Sequence, residues 1–158
     1  MFVLILLSII LQSTVFNFIQ VAGVKPDLVL VLVIVYSLVK GPKEGAIVGF
    51  VAGLMVDLAL GSFIGLSALT KMTVGYLVGL GEGLIYKENL IIPIMAVFTA
   101  SLFHEFLLYL LHSSLGFQGA FGVVFLKGMI PLVIYNIALL PFFYSSFYNS
   151  LTKGVLSQ

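Results

Sequence analysis

The sequence contains no cysteine, tryptophan or arginine, and only 8% of its residues are charged. The absence of cysteine excludes disulfides and metal sites built from thiolates. Because all seven basic residues are lysines and the formal net charge is +1, we expect no nucleic-acid partner. Soluble domains carry about 25% charged residues. The low charge therefore favours a protein whose main surroundings are the lipid bilayer.

Hydrophobic residues make up 61% of the chain, and the mean hydropathy is +1.26. No long polar block interrupts the apolar runs, so we expect a single membrane-embedded domain over 1–158. Glycine, proline and charged residues separate six apolar runs, most of which approach the roughly 20 residues of a transmembrane helix. The predicted fold is an all-α integral membrane protein with six transmembrane helices in a compact bundle. The predicted spans are 2–19, 26–40, 44–61, 66–85, 90–111 and 122–144.

The first two runs need separate arguments. Phe2–Ile19 follows no lysine or arginine and precedes no small-residue cleavage site, so we expect a retained helix rather than a signal peptide. Leu28–Val39 is shorter than a typical span and leaves two alternatives open. The helix could begin at Pro26 and cross the membrane, with the Lys40 side chain reaching the polar surface. It could instead end partway through the bilayer.

The lysines predict an orientation for the bundle. If the N-terminus lies in the cytoplasm, the cytoplasmic segments contain four lysines and the outer loops contain one, Lys25. Short segments rich in lysine favour the cytoplasmic side of a membrane. We therefore expect both termini in the cytoplasm. The four cytoplasmic lysines are Lys40, Lys43, Lys87 and Lys153.

Glycines recur at every fourth position in the third and fourth runs. Residues four apart share one face of a helix, and stripes of small residues let helix backbones approach closely in lipid. Folding the two runs into an antiparallel hairpin about position 64 pairs each glycine of one stripe with one of the other. We therefore expect these glycines to pack the two helices together. The stripes are Gly45, Gly49 and Gly53 in the third run, and Gly75, Gly79 and Gly83 in the fourth.

Four of the charged residues in the predicted spans lie more than three residues from a span end, and a charge at the centre of the bilayer costs about 2.5–3.5 kcal/mol on insertion scales. The hairpin about position 64 places Asp57 opposite Lys71, and a second hairpin about Gly116 places Glu105 opposite Lys127. Two acid–lysine pairs in the outer half of the bundle would form an electrically neutral polar layer. Further hydrogen bonds in this layer are expected from Gln12, His104 and Asn136.

Three roles are open for the predicted polar layer. It could hold the helices in register, bind a ligand or partner, or conduct protons or ions. Neutral buried pairs more often give structural specificity than chemistry, which favours the first role.

Catalytic motifs are missing from the sequence. His104-Glu105 begins like a zinc-protease motif, but the position of the second histidine is occupied by Leu108, which cannot bind a metal. No serine lies in the G-x-S-x-G context of a hydrolase nucleophile. We expect no enzyme, no catalytic residue, no cofactor and no metal site.

Several segments together resemble the rod shape-determining protein MreD family. The resemblance covers nearly the whole chain, and its most specific parts are the Pro-Asp and Gly-Pro-Lys-Glu-Gly blocks. The matching segments are Gln12–Phe16, Lys25–Leu32, Lys40–Ala46, Gly49–Leu58, Gly65–Lys71, Val74–Gly79, His104-Glu105 and Tyr135-Asn136.

The resemblance implies a function that composition and spacing do not give. Members of this family act in the bacterial cytoplasmic (inner) membrane as noncatalytic scaffolds or regulators of the cell-wall elongation complex. The implied partner within the membrane is MreC, and further components are RodA, a class B penicillin-binding transpeptidase and MreB. The resemblance also implies a six-helix fold like the S-components of ECF vitamin transporters.

The implied fold supplies an alternative function, a subunit that binds a small molecule such as a vitamin for an ECF transporter. S-components commonly dock through an alanine-x-x-x-alanine motif on the first helix. This chain has Ser8 and Gln12 at that spacing and no alanine before Ala22, which counts against transport. A channel or proton-coupled carrier is a third class, supported only by Asp57, Glu105 and two prolines in the last run.

Overall fold

The computed structural model describes residues 2–14, 25–61, 63–83, 91–116, 123 and 125–153. All regular secondary structure in these ranges is helical. A short π-helical segment, Phe125–Met129, directly precedes the last helix. The predicted span ends at 19, 85, 90 and 122 lie outside the described residues, as does Lys87. The helices are α1 (Phe2–Thr14), α2 (Leu28–Lys40), α3 (Pro42–Leu60), α4 (Leu66–Gly79), α5 (Ile91–Ser114) and α6 (Ile130–Lys153).

Helix α2 lies at the centre of the bundle. Its eleven consecutive residues Leu28–Leu38 are buried, and all five of the other helices contact it. A helix that is apolar all round is suited to such a position. Its Leu30 and Ile34 pack in one cluster with Leu140 of α6. The remaining face of α2 packs on α1 and α3 in a second cluster.

The short second run therefore forms a short central helix. With 13 residues, α2 is about 20 Å long at 1.5 Å per residue, against about 30 Å for the hydrocarbon core of a bilayer. It begins at Leu28, two residues after Pro26, and it ends at Lys40, directly before Gly41. Gly41 adopts φ +90°, which favours glycine, and Pro42 follows at once as the first residue of α3.

Helices α3 and α4 form the most extensive helix pair in the described structure. A Cβ added to Gly75 would lie 2.7 Å from the carbonyl carbon of Gly45. A Cβ added to Gly49 would overlap the carbonyl group of Lys71, and one added to Gly79 would overlap the backbone at Pro42. These distances are shorter than real Cβ contacts. The two backbones can therefore approach this closely only because glycine has no side chain.

The register of this hairpin differs from the predicted register. The predicted hairpin about position 64 would place Gly53 opposite Gly75 and Gly45 opposite Gly83. In the structure Gly53 lies against Ala68, and Gly45 lies against Gly75. Gly83 lies beyond the end of α4 in a turn, with φ +84° and open space where a Cβ would stand.

The cause of the difference is the connection between the two helices. Helix α3 continues past Asp57 to Leu60, and the chain then returns, so that the Gly65 N–H donates to Asp57 Oδ2 at 2.8 Å. Helix α4 therefore begins beside Asp57. The predicted register requires α3 to end at the same depth as α4 begins. In the structure α3 extends beyond the start of α4, so this requirement is not met.

Helix α5, with 24 residues, is the one described helix that is both long and apolar enough to cross a membrane. Three shorter apolar stretches accompany it: Val3–Thr14 in α1, Leu28–Lys40 in α2, and Lys127–Pro141, which runs from the π-helical segment into α6. The all-helical prediction is confirmed for the described residues, whereas six membrane crossings stay a prediction.

We expect Gly49→Ala to lower the thermal unfolding temperature of the purified protein in detergent. The added methyl group would force α3 away from the Lys71 carbonyl, and overpacking of this kind costs about 1–3 kcal/mol. Gly128→Ala is the matched control, because a Cβ at Gly128 meets nothing within 4 Å. Equal unfolding temperatures for the two variants would contradict the close contact between α3 and α4.

Candidate functional site: a buried polar network

Asp27 links the start of the central helix to a lysine on α4. One carboxylate oxygen, Oδ1, accepts a hydrogen bond from the Leu30 N–H at 2.9 Å and thereby caps α2. The other oxygen, Oδ2, lies 2.7 Å from Nζ of Lys71. The short distance is typical of a charge-assisted hydrogen bond. One carboxylate therefore both starts α2 and neutralises a buried lysine.

Lys71 is almost completely buried, with 2% of its side chain exposed. It lies on the face of α4 that also bears the stripe of Gly75 and Gly79, and the carbonyl of Lys71 meets Gly49 of α3. Its Nζ contacts His104 Nε2 at 3.3 Å in addition to Asp27. The ammonium group thus joins α4 to both α2 and α5.

The contacts of His104 determine which ring nitrogen carries the proton. A lysine ammonium only donates hydrogen bonds, so Nε2 of His104 accepts from Lys71. The proton then lies on Nδ1, which donates to Glu105 Oε1 at 3.2 Å. His104 is 1% exposed, whereas Glu105 is partly exposed. The chain of contacts therefore runs from a buried pair to a carboxylate near the surface of the bundle.

Asn136 attaches α6 to the same region. Its Oδ1 accepts from the backbone N–H of Asp27 at 2.9 Å, and its Nδ2 donates to the hydroxyl oxygen of Ser101 at 3.0 Å. Asn136 and Ser101 are both fully buried. A buried amide that makes both kinds of bond is well satisfied and fixes the position of α6 against α2 and α5.

Gln12 attaches α1 in a similar way. Its Nε2 donates to the Pro26 carbonyl at 3.0 Å and lies 3.4 Å from Asp27 Oδ1. Five helices thus contribute to one set of contacts around Asp27, which we call the polar network. Its members are Gln12, Asp27, Lys71, Ser101, His104, Glu105 and Asn136.

The partner of Lys71 differs from the predicted one. The sequence analysis pairs Lys71 with Asp57, whereas the structure gives the ion pair to Asp27. Asp57 is buried and accepts from the backbone N–H groups at the start of α4, including Ser67 at 3.1 Å and Ala68 at 3.3 Å. The register of the hairpin explains this difference, because it places Asp57 at the N-terminus of α4, where backbone N–H groups and the helix dipole favour an anion.

The predicted pair of Glu105 and Lys127 is not formed either. Lys127 is exposed in the π-helical segment that precedes α6, and Glu105 contacts His104 instead. Of the seven residues predicted for the polar layer, the structure brings together Gln12, Lys71, His104, Glu105 and Asn136.

Two members of the network, Asp27 and Ser101, are absent from the predicted layer. The sequence carries a signal for Asp27, since an acid directly before a long apolar run is typical of a helix N-cap. It also lies in the Pro-Asp block of the family resemblance. No local signal identifies Ser101, because its partner Asn136 is 35 residues away.

Four members of the network are buried between helices. Lys71, His104, Ser101 and Asn136 are each at most 2% exposed, and their hydrogen bonds join different helices. In the part of the chain that the structure describes, no group of three or more histidine, aspartate and glutamate residues is placed to hold a metal ion.

A double-mutant cycle tests the pair of Asp27 and Lys71. Lys71→Met keeps the length of the side chain, and Asp27→Asn keeps an oxygen that can cap α2. We expect each single change to cost about 3–5 kcal/mol, because breaking a buried pair leaves the other charge uncompensated. The double variant should be more stable than the sum of the two losses predicts, as measured by unfolding in detergent.

The exposed lysine Lys127 provides the control, because Lys127→Met removes the same charge without stranding a buried carboxylate. We expect little change in its unfolding temperature. Strictly additive effects of Asp27→Asn and Lys71→Met would show that the two side chains do not interact.

Comparison with known proteins identifies the family. A model of the rod shape-determining protein MreD family matches residues 1–153. Searches of curated proteins and of solved structures gave no match, so the likeness to S-components of ECF transporters gains no support. The match extends over almost all of the 158 residues, including every helix that contributes to the polar network. The chain therefore belongs to the MreD family of rod shape-determining membrane proteins.

Proposed function

We propose that this protein is a noncatalytic scaffold of the bacterial cell-wall elongation complex and that it binds MreC within the membrane. Membership of the MreD family gives a role in rod shape determination. The proposal goes further and names how that role is performed. RodA, a class B penicillin-binding transpeptidase and MreB are proposed as further members of the same assembly.

The observation that carries the proposal is the use of the buried charges. The ammonium group of Lys71 is 2.7 Å from Asp27 and 3.3 Å from His104, and its side chain is 2% exposed. A group buried in this way cannot meet a substrate, but it can hold three helices in one arrangement. Such an interior supports a rigid body that presents fixed surfaces to partners.

Polar networks between membrane helices commonly serve association, since each unsatisfied polar group in hydrocarbon is costly. In this protein the network joins α1, α2, α4, α5 and α6, while backbone contacts join α3 to α4. We therefore assign the network to helix assembly, in preference to ligand binding or to conduction of protons or ions.

The proposed topology places all six helices in the cytoplasmic membrane with both termini in the cytoplasm. The connection between α2 and α3 then faces the cytoplasm, and the end of α5 faces outward. This arrangement places Lys40 and Lys43 inside, as the positive-inside rule favours.

Cysteine labelling tests this topology, because the chain has no cysteine of its own. Lys43 and Ser113 are both exposed and lie at opposite ends of their helices. We expect a membrane-impermeant maleimide to label Ser113→Cys in intact spheroplasts and Lys43→Cys only after permeabilisation. Labelling in the reverse pattern, or of both positions from one side, would overturn the proposed orientation.

Purification of the tagged chain from its native bacterium tests the scaffold function. We expect mass spectrometry to recover MreC in mild detergent, together with RodA or the transpeptidase, and not to recover them from a strain that expresses the untagged chain. Failure to recover MreC, under conditions where the tagged chain supports rod shape, would contradict the proposal. Recovery of a transporter subunit with paired ATPases would instead indicate the ECF function.

A further inference from the structure

His104 is the member of the polar network whose side chain has an ordinary pKa closest to neutral, at about 6.5. The residue is 1% exposed, and its two ring nitrogens meet different partners. Nε2 accepts from the Lys71 ammonium at 3.3 Å, and Nδ1 donates to Glu105 at 3.2 Å. A neutral imidazole has one acceptor nitrogen, and Lys71 occupies it. Both contacts therefore exist together only while the ring is neutral.

A second proton on the ring would remove the contact between α5 and α4. It would bind Nε2, the nitrogen that faces Lys71, so two positively charged donors would stand 3.3 Å apart with no acceptor between them. The bond from Nδ1 to Glu105 would gain nothing, because Nδ1 already carries its proton. Protonation thus breaks one hydrogen bond of the network and forms none.

The charges around the ring do not compensate for this loss. Glu105 would attract an imidazolium, but 19% of its side chain is exposed, and water screens an exposed charge more than a buried one. Lys71 repels it from a site that is only 2% exposed. Asp27 offsets part of that repulsion, but it is already bonded to Lys71 at 2.7 Å. Of the other described elements packed on α5, α6 brings the uncharged Asn136 to the network, and Lys127 in the π-helical segment is exposed.

We propose that His104 is a pH-sensitive latch between α4 and α5, closed while the ring is neutral and opened when the ring is protonated. In the closed form the Lys71 ammonium bonds to both α2 and α5. In the open form Lys71 keeps its bond to Asp27, and α5 keeps the bond from Asn136 to Ser101. Acid therefore loosens α5 from α4 without breaking the ion pair at the start of α2.

Thermal unfolding at different pH values tests the latch, since the chain has only two histidines. We expect the wild-type unfolding temperature in a non-titrating detergent to fall by about 5 °C from about pH 8 to about pH 5.5, because the unfolded chain takes up a proton that the closed latch excludes. His104→Gln should remove most of this fall, because its carboxamide offers an oxygen to Lys71 and an N–H to Glu105 at either pH.

The other histidine provides the matched control. Nδ1 of His112 donates to the Leu108 carbonyl at 2.9 Å, and a ring nitrogen can donate this bond whether the ring is neutral or protonated. His112→Gln should therefore keep the wild-type fall in unfolding temperature. An equal fall in His104→Gln and His112→Gln would show that groups other than His104 cause the pH dependence, and would overturn the latch.

Nitrogen-15 NMR of the histidine-labelled His112→Gln variant observes the ring directly, because His104 is then its one histidine. We expect a neutral ring with its proton on Nδ1 at the higher pH. A proton on Nε2, or on both nitrogens, at that pH would overturn the latch. This measurement leaves position 104 unchanged, so it decides the question even if His104→Gln does not fold.

Spin labels measure the opening itself. Leu77 of α4 and Met95 of α5 are exposed and line the same cavity, and the absence of native cysteine allows both to be labelled as Leu77→Cys and Met95→Cys. We expect the dipolar coupling between the two nitroxides to weaken at the lower pH, and to stay constant when His104→Gln is added. Unchanged coupling at a pH where NMR shows the ring protonated would overturn the latch.

Discussion

The ion pair between Asp27 and Lys71 is the interaction on which the other contacts depend. Charges inside a membrane protein are tolerated when they pair within it, and this pair unites the start of the central helix with α4 at 2.7 Å. His104 and Asn136 then bond to the same two residues from α5 and α6. Loss of the pair would leave a charge among apolar helices and remove the point at which four helices meet.

The glycine contacts between α3 and α4 make this pair possible. Because Gly49 lies directly against the carbonyl of Lys71, helix α3 covers one side of the lysine's backbone without occupying the space of its side chain. Asp57 caps the start of α4 and so fixes where that helix begins. Backbone packing and capping thus determine the position of Lys71, and the position selects Asp27 as its partner.

Polar and apolar features are divided between the inside and the outside of the bundle. The polar side chains of the network bond to one another around α2, whereas exposed side chains between α4 and α5, such as Leu77, Met95 and Phe103, are apolar. In a bilayer the hydrophobic effect does not drive helices together, so shape and hydrogen bonds decide association.

Composition and residue spacing are enough to predict the class of protein, its helices and the glycines at which two helices approach closely. Low charge and apolar runs predict a helical membrane protein, the four-residue glycine spacing predicts close packing of the third and fourth helices, and nearly the whole chain carries the resemblance to the MreD family. The pairing of the charged side chains, in contrast, depends on how the helices pack. Lys71 was predicted to bond Asp57 and bonds Asp27, 44 residues away, because the return of the chain after Leu60 shifts the register of the hairpin. Glu105 contacts His104 rather than Lys127. Sequence spacing predicts the face of a helix on which a side chain lies, but its partner depends on how the helices are placed relative to one another.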